Sequence, residues 1–227
     1  MEKIILDCDP GHDDAIAILL AAGNPNIELL GITTVSGNHN VENTTRNALA
    51  TCTAYGIKVP VAKGSPVPML IDQVLAIEIH GETGLDGPEL PPASFELDRR
   101  HAVDFIIDTV MTHEPKTVSL VPVGPYTNIA LAARKDPRII ERVKQVIAMG
   151  GAYTRGNITP AAEFNIYVDP EAAEIVFRSG RPIVVMPLDV THKALTSKAW
   201  IEEMRGLGNQ LGAVVASWTD FFERFDV

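Results

Sequence analysis

Six short runs of aliphatic and β-branched residues recur along the chain, and most are followed by a longer segment with helical spacing. Few architectures accommodate that alternation. The runs are Lys3–Asp7, Glu28–Val35, Val59–Ala62, Thr117–Pro122, Val143–Met149 and Pro182–Met186. Helical spacing is read over Asp13–Gly23, Val41–Tyr55, His101–His113, Thr127–Arg134, Pro170–Ser179, Ser197–Arg205 and Leu211–Phe225. Acids open the first of these helices, Gly56 follows the second, and Pro170 stands at the start of the fifth. Each is a residue type that helix ends favour. The pattern predicts an α/β chain with a mostly parallel, doubly wound, Rossmann-like sheet and right-handed crossovers. Such sheets bind ligands beyond the carboxyl ends of their strands. Two stretches, 63–100 and 152–168, lack sustained periodicity and read as functional loops.

Composition narrows the function. With 46% apolar residues over 227 positions, the chain has material for one sizeable core, so residues 1–227 are read as a single domain. Its 19 basic against 29 acidic side chains give a net charge of −10, which disfavours a nucleic-acid partner. No run approaches the roughly 20 apolar residues that span a bilayer. Met1-Glu2-Lys3 leads directly into a strand, with no secretory leader read there. The two cysteines, Cys8 and Cys52, lack metal or redox spacing, so a reducing compartment, the cytoplasm, is expected.

The chemistry concentrates at the end of the first strand. Asp7, Asp9, Asp13 and Asp14 fall within eight residues, in DCDPGHDD. Strand alternation would put Asp7 and Asp9 on one face, and Asp13 and Asp14 would open the helix beyond the Pro10-Gly11 turn. Four carboxylates at one corner repel, by about 4 kcal/mol per pair at about 4 Å and an effective dielectric near 20. A hard divalent cation relieves this, and the lack of clustered soft ligands disfavours zinc. The competing reading is that acids here only cap the helix.

DCDPGHDDA at 7–15 resembles the opening signature of the inosine-uridine-preferring nucleoside hydrolases. TTVSGN ending at Asn38, HGETGLDGP at 80–88, LVPVGPYTNIA at 120–130, MGGAY at 149–153, GNITPAAEFNIYVDPEAA at 156–173 and LDVTHKAL at 188–195 follow in the same order. The resemblance covers essentially the whole chain. It implies the nucleoside hydrolase fold and hydrolysis of the N-glycosidic bond of ribonucleosides with a tightly bound Ca²⁺. By position, it implies that Asp9 ligates the ion and takes a proton from the attacking Ca²⁺-bound water. Asp14 would be a bidentate ligand and the Val123 carbonyl a main-chain ligand. Asp13, Asn157, Glu163 and Asn165 would hydrogen-bond the ribose hydroxyls, Asn38 would lie near the ribose, and His80 near the base. It further implies a homo-oligomer, dimer or tetramer.

That chemistry has a physical logic. Glycosidic cleavage passes through an oxocarbenium-like transition state, so water must be activated, the sugar held, and the leaving base helped away. Glu163 and Asn165, two apart, would point the same way from an extended segment. Each residue also has a plainer reading. Asn157 after Gly156 suits a turn, Glu163 could be a solvated acid, and His80 beside Gly81 a loop histidine satisfying backbone groups. His12 could cap the helix or face the pocket. His101, His113 and His192 read as surface or structural, Phe164 as core, and Phe221, Phe222 and Phe225 as core or pocket wall.

Relatives of this kind are expected to continue past Val227, into a part with an HD pair that completes the ion's shell and protonates the base. The only HD here is His12-Asp13. The sequence therefore reads as a domain incomplete at its C-terminus, with weak Ca²⁺ binding and poor turnover by residues 1–227 alone. Two alternatives are a catalytically impaired nucleoside- or Ca²⁺-binding fragment, and a metal-dependent phosphohydrolase using Lys193 or Lys198.

Overall fold

The structure, a computed structural model, describes residues 1–222, with the backbone alone at Phe222. The expectations for the Phe222 side chain and for Phe225 lie outside the described residues.

The first half runs β1 (Glu2–Cys8), α1 (His12–Gly23), β2 (Ile27–Thr34), α2 (Val41–Ala54), β3 (Val61–Lys63), α3 (Ile77–His80) and α4 (Ala102–Thr112). The second half runs β4 (Val118–Pro122), α5 (Thr127–Lys135), α6 (Arg138–Arg142), β5 (Val146–Met149), α7 (Phe164–Tyr167), α8 (Pro170–Phe177), β6 (Ile183–Met186), α9 (Leu188–Thr191), α10 (Lys198–Gly206) and α11 (Gln210–Phe222). The strands form one six-stranded sheet in the order β3-β2-β1-β4-β5-β6, with every pairing parallel. The doubly wound reading holds. Strand order reverses between β1 and β4, and their carboxyl ends flank the crevice where such sheets take ligands.

Alternation along β1 divides the core between the two faces. Ile4, Leu6 and Cys8 pack with Ile18 of α1 and with Ala48 and Cys52 of α2. Ile5 faces the opposite way, among residues of α4, α5, α6 and α8 such as Phe105, Ile129, Ile139 and Val176. A third, smaller cluster seats α11 against α1 through Ala15, Val214 and Trp218.

The structure departs from the sequence reading in several places. Two of the supposed loops contain single turns of helix, α3 and α7. The segment read as one strand from Val143 begins as strand only at Val146, after the unanticipated α6. Val143 is that helix's C-cap. No helix among the described residues is long and apolar enough to cross a membrane.

Candidate functional site

The site assembles where β1, β2, β4 and β5 release the chain at their carboxyl ends. Asp7 pairs in register with Thr33 of β2 and Pro122 of β4, so Asp9, Asn38 and Val123 all lie just beyond that line. Asp9 is 1% exposed and follows the last strand residue, where alternation no longer governs direction. Its Oδ2 accepts the Asn38 N–H at 2.6 Å. The Asn38 amide Nδ2 donates to the Asp9 carbonyl at 3.2 Å and to Asp14 Oδ2 at 3.0 Å. Gly11 N–H also donates to Asp14 Oδ2, at 3.3 Å. One asparagine thus ties together both acids expected to hold the ion.

Main chain walls this carboxylate in. A Cβ on Gly37 would come within 2.2 Å of Asp9 Oδ2, and one on Gly124 within 2.3 Å of Oδ1. Sequence reasoning passed over both glycines, since a glycine beside a strand end ordinarily signals only a turn. Burial pushes the Asp9 and Asp14 carboxyls well up, and mutual repulsion pushes Asp9 further. Asp14 Oδ1 is buried and, among the described residues, accepts no hydrogen bond. A buried carboxylate oxygen without a donor is costly. Two close, buried carboxylates of raised pKa, one with an unserved oxygen, fit a hard cation.

The expected four-acid corner needs correction. Asp7 turns into the face that carries Ile5 and is fully buried against α5. Its Oδ1 accepts Thr33 Oγ1 at 2.5 Å and Asn128 Nδ2 at 2.8 Å. Asp7 is thus an acid of β1 locked to its neighbours, whereas Asp9 lies beyond the strand's end at Cys8. Asp13 is exposed on the first turn of α1. Among the described residues, no three His, Cys, Asp or Glu side chains converge as a metal group. The donors that do gather are Asp9, Asp14 and main chain.

Val123 sits beside this pair, since the adjacent Gly124 contacts Asp9. Its carbonyl accepts Asn165 Nδ2 at 2.9 Å. Asn165 is held by Glu163, but not as paired residues of an extended segment. Glu163 is the N-cap of α7, with Oε1 accepting Asn165 N–H at 3.0 Å and Oε2 accepting Gly151 N–H at 2.9 Å. At 2% exposure it is no solvated acid, and burial raises its pKa. Asn157 is exposed, and its Oδ1 caps the Phe164 N–H at 2.9 Å, the turn role its Gly-rich setting allows. Phe164 is half-buried rather than core.

His80 ends α3 and is 4% exposed. Its ring lies over Gly11, where a Cβ would come within 2.4 Å of Nδ1. His12 is 1% exposed and joins His80 on that turn. Of the other histidines, His39 is buried, with Nε2 3.1 Å from the Glu82 carbonyl oxygen. His101 caps α4 through Nδ1, and His113 Nδ1 meets the Thr109 carbonyl at 2.8 Å. His192 is exposed at the end of α9. Lys193 and Lys198, which a phosphohydrolase would need near the acids, are exposed beyond β6.

Comparison with known proteins identifies the family. A family model described as inosine-uridine preferring nucleoside hydrolase matches residues 4–227. A Leishmania major inosine-uridine preferring nucleoside hydrolase is 50% identical over 224 residues, covering 98% of this chain and 71% of that protein. The pyrimidine-specific ribonucleoside hydrolase RihB of Escherichia coli is 49% identical over 219 residues, covering 96% of this chain and 70% of RihB. Among solved structures, a purine-preferring ribonucleoside hydrolase from Gardnerella vaginalis superposes with a TM-score of 0.94 at 40% identity, covering 98% of this chain and 72% of that one.

Proposed function

Because the chain belongs to the inosine-uridine preferring nucleoside hydrolase family, we propose that it cleaves the N-glycosidic bond of ribonucleosides, releasing ribose and free base, at the Asp9–Asp14 corner. The observation that carries the reading is the pair of buried acids bridged by Asn38 at the β1/β4 crevice, with Asp14 Oδ1 unserved by any described donor.

Asp9, Asp14 and the Val123 carbonyl would hold a divalent cation; the all-oxygen donor set fits a hard ion, and the family resemblance carries its reading as Ca²⁺. When bound, such an ion acidifies water and polarises vicinal hydroxyls. Asp9 accepts the proton of the attacking water through its buried carboxylate. Asn38 fixes the carboxylate's direction, so the proton is received at a defined place. Asp13, exposed at the corner, is open to the ribose hydroxyls. Glu163 and Asn165, anchored by backbone donors and the Val123 carbonyl, offer the sugar a rigid polar wall. Asn157 braces the loop that carries them. His80, whose ring lies over Gly11, would be near the base.

Two finer readings accompany this one. The free, buried thiols Cys8 and Cys52 support a reducing compartment, the cytoplasm. The homo-oligomer, dimer or tetramer, is carried by the family resemblance.

The test is release of free base from inosine and uridine. Release should depend on divalent cation, cease in chelator and return with Ca²⁺. Asp9→Ala should lower it by at least about 10²-fold while the fold survives. Near-normal turnover by Asp9→Ala would remove the role given to Asp9, and phosphate release from nucleotides without base release would overturn the reaction class.

A further inference from the structure

The turn that follows α3 sends its peptide groups two ways. The Asp86 carboxylate accepts the N–H of Glu82 at 3.1 Å and that of Thr83 at 3.0 Å, and the Gly81 carbonyl accepts the Gly84 N–H at 3.2 Å. In a planar trans peptide the carbonyl points away from the N–H. The carbonyls of Glu82 and Thr83 are therefore turned outward, and donors at the start of α2 meet them. His39 Nε2, just ahead of that helix, lies 3.1 Å from the Glu82 oxygen. Asn47 Nδ2 and Arg46 Nη2 both donate to the Thr83 oxygen, at 3.1 and 3.0 Å. Gly84 lets the two segments close up, since a Cβ there would stand 3.1 Å from His39 Cβ and 3.3 Å from Asn47 Nδ2.

Asn47 does more than hold this turn. It is 5% exposed, and the same Nδ2 donates to the Pro10 carbonyl at 3.0 Å. Both partners are carbonyls, which only accept, so the nitrogen of the amide and not its oxygen faces them. The Pro10 carbonyl belongs to the peptide whose other end is the Gly11 N–H, and that N–H donates to Asp14 Oδ2. One rigid peptide thus stands between Asn47 and Asp14. On the other side, Thr83 is three residues from His80, whose ring lies over Gly11. A single buried amide joins the peptide beside Asp14 to the turn that carries His80.

We infer that Asn47 is a positioning residue that sets the span between Asp14 and His80. It acts through the Pro10–Gly11 peptide on one side and through the Thr83 carbonyl on the other. Its donor is buried, where water cannot take its place, so removing it leaves two carbonyls short of a partner. The consequence for recognition rests on the function proposed above. There Asp14 belongs to the ribose side and His80 to the base side. A nucleoside bridges the two sides, whereas free ribose meets only one. The span therefore matters to the first ligand and not to the second. The joint itself does not depend on that function.

The experiment compares wild type with Asn47→Ala and with Thr44→Val. Thr44 is buried in the same helix and donates to the Val35 and Val41 carbonyls, so its variant weakens α2 away from the joint. Hydrogen exchange at the Gly11, Thr83 and Gly84 amides, measured relative to the β1 amides, should speed up about tenfold in Asn47→Ala and keep the wild-type rate in Thr44→Val. Unchanged exchange in Asn47→Ala, or equal acceleration in both variants, would overturn the inference. In assays of base release, kcat/KM for inosine should fall about tenfold in Asn47→Ala, with the inhibition constant of free ribose within about twofold of wild type. A parallel loss of ribose binding would show that Asn47 supports the acid corner alone and sets no span. If Asn47→Ala fails to fold, Gly84→Ala, which intrudes on the same joint from the turn, must show the same local exchange and the same split between inosine and ribose. If wild type releases no base, the proposed reaction is in error, while the exchange rates still decide whether Asn47 holds the joint, so the two fail separately.

Discussion

Asp7 and Asp9 stand two residues apart and do different work. Asp9 ends up in a crevice walled by main chain, while Asp7 is clamped inside the sheet by Thr33 and Asn128, with both donors on Oδ1. Its Oδ2 has no partner among the described residues, and burial lifts the Asp7 pKa to about 7. The unfolded value lies near 3.8. Between those values the folded chain binds more protons than the unfolded one, so the Asp7 contribution to stability falls as pH rises from about 4 to about 7. Burial lifts Asp9 and Asp14 in the same direction, whereas the lowered pKa values of His12 and His80 act oppositely below about 6.5. Asp7→Asn isolates one share. In chelator, the stability of wild type relative to this variant should decline across that window by up to about 4 kcal/mol. Parallel stability curves from urea melts at a series of pH values would refute it. Asp14→Asn gives a second check: wild type should gain thermal stability with added Ca²⁺, by about 2.7 kcal/mol at a hundredfold excess over Kd. The variant should gain little, and an equal gain would place the ion elsewhere.

At the scale of elements, one buried carboxylate couples three segments. Asp169 Oδ1 caps α8 through the Ala172 N–H at 3.1 Å. Its Oδ2 accepts the Met69 N–H at 3.0 Å and Thr127 Oγ1 of α5 at 2.5 Å. Asp169→Ala would remove the cap and leave the half-buried Met69 N–H and the buried Thr127 hydroxyl without their acceptor, a cost of about 2–4 kcal/mol. Urea unfolding measures it, and a loss below about 1 kcal/mol would show that water replaces the carboxylate. The six strands were legible because each is a short aliphatic run, and α1, α2, α4, α5 and α8 because their apolar residues keep helical spacing. The turns α3 and α7 are too short to carry a period. The strand start before Val146 was misjudged because Val143 caps a helix with the same residue type that builds strands. At the site, the acids and Asn38 could be picked out by residue type and by resemblance. Asn128, His12, Gly37 and Gly124 acquire their roles from chain segments far off in sequence, which no local pattern displays.

Across the molecule, the strand order assigns scaffold and chemistry to separate places. The two core clusters on the sheet faces are built from strand interiors and helix flanks, while Asp9, Asn38, Val123 and Glu163 all come after strand ends. Apolar side chains remain uncovered on β6, where Val184 is 42% and Met186 39% exposed. The glycine walls of Asp9 have a further consequence. A cavity bounded by side chains can be enlarged or narrowed one methyl group at a time. One bounded by the peptide groups at Gly37 and Gly124 has no such increments, because any added carbon strikes the carboxylate. The space around this acid is therefore close to all-or-none under substitution, and graded change has room only farther out, where side chains rather than peptide groups bound the crevice.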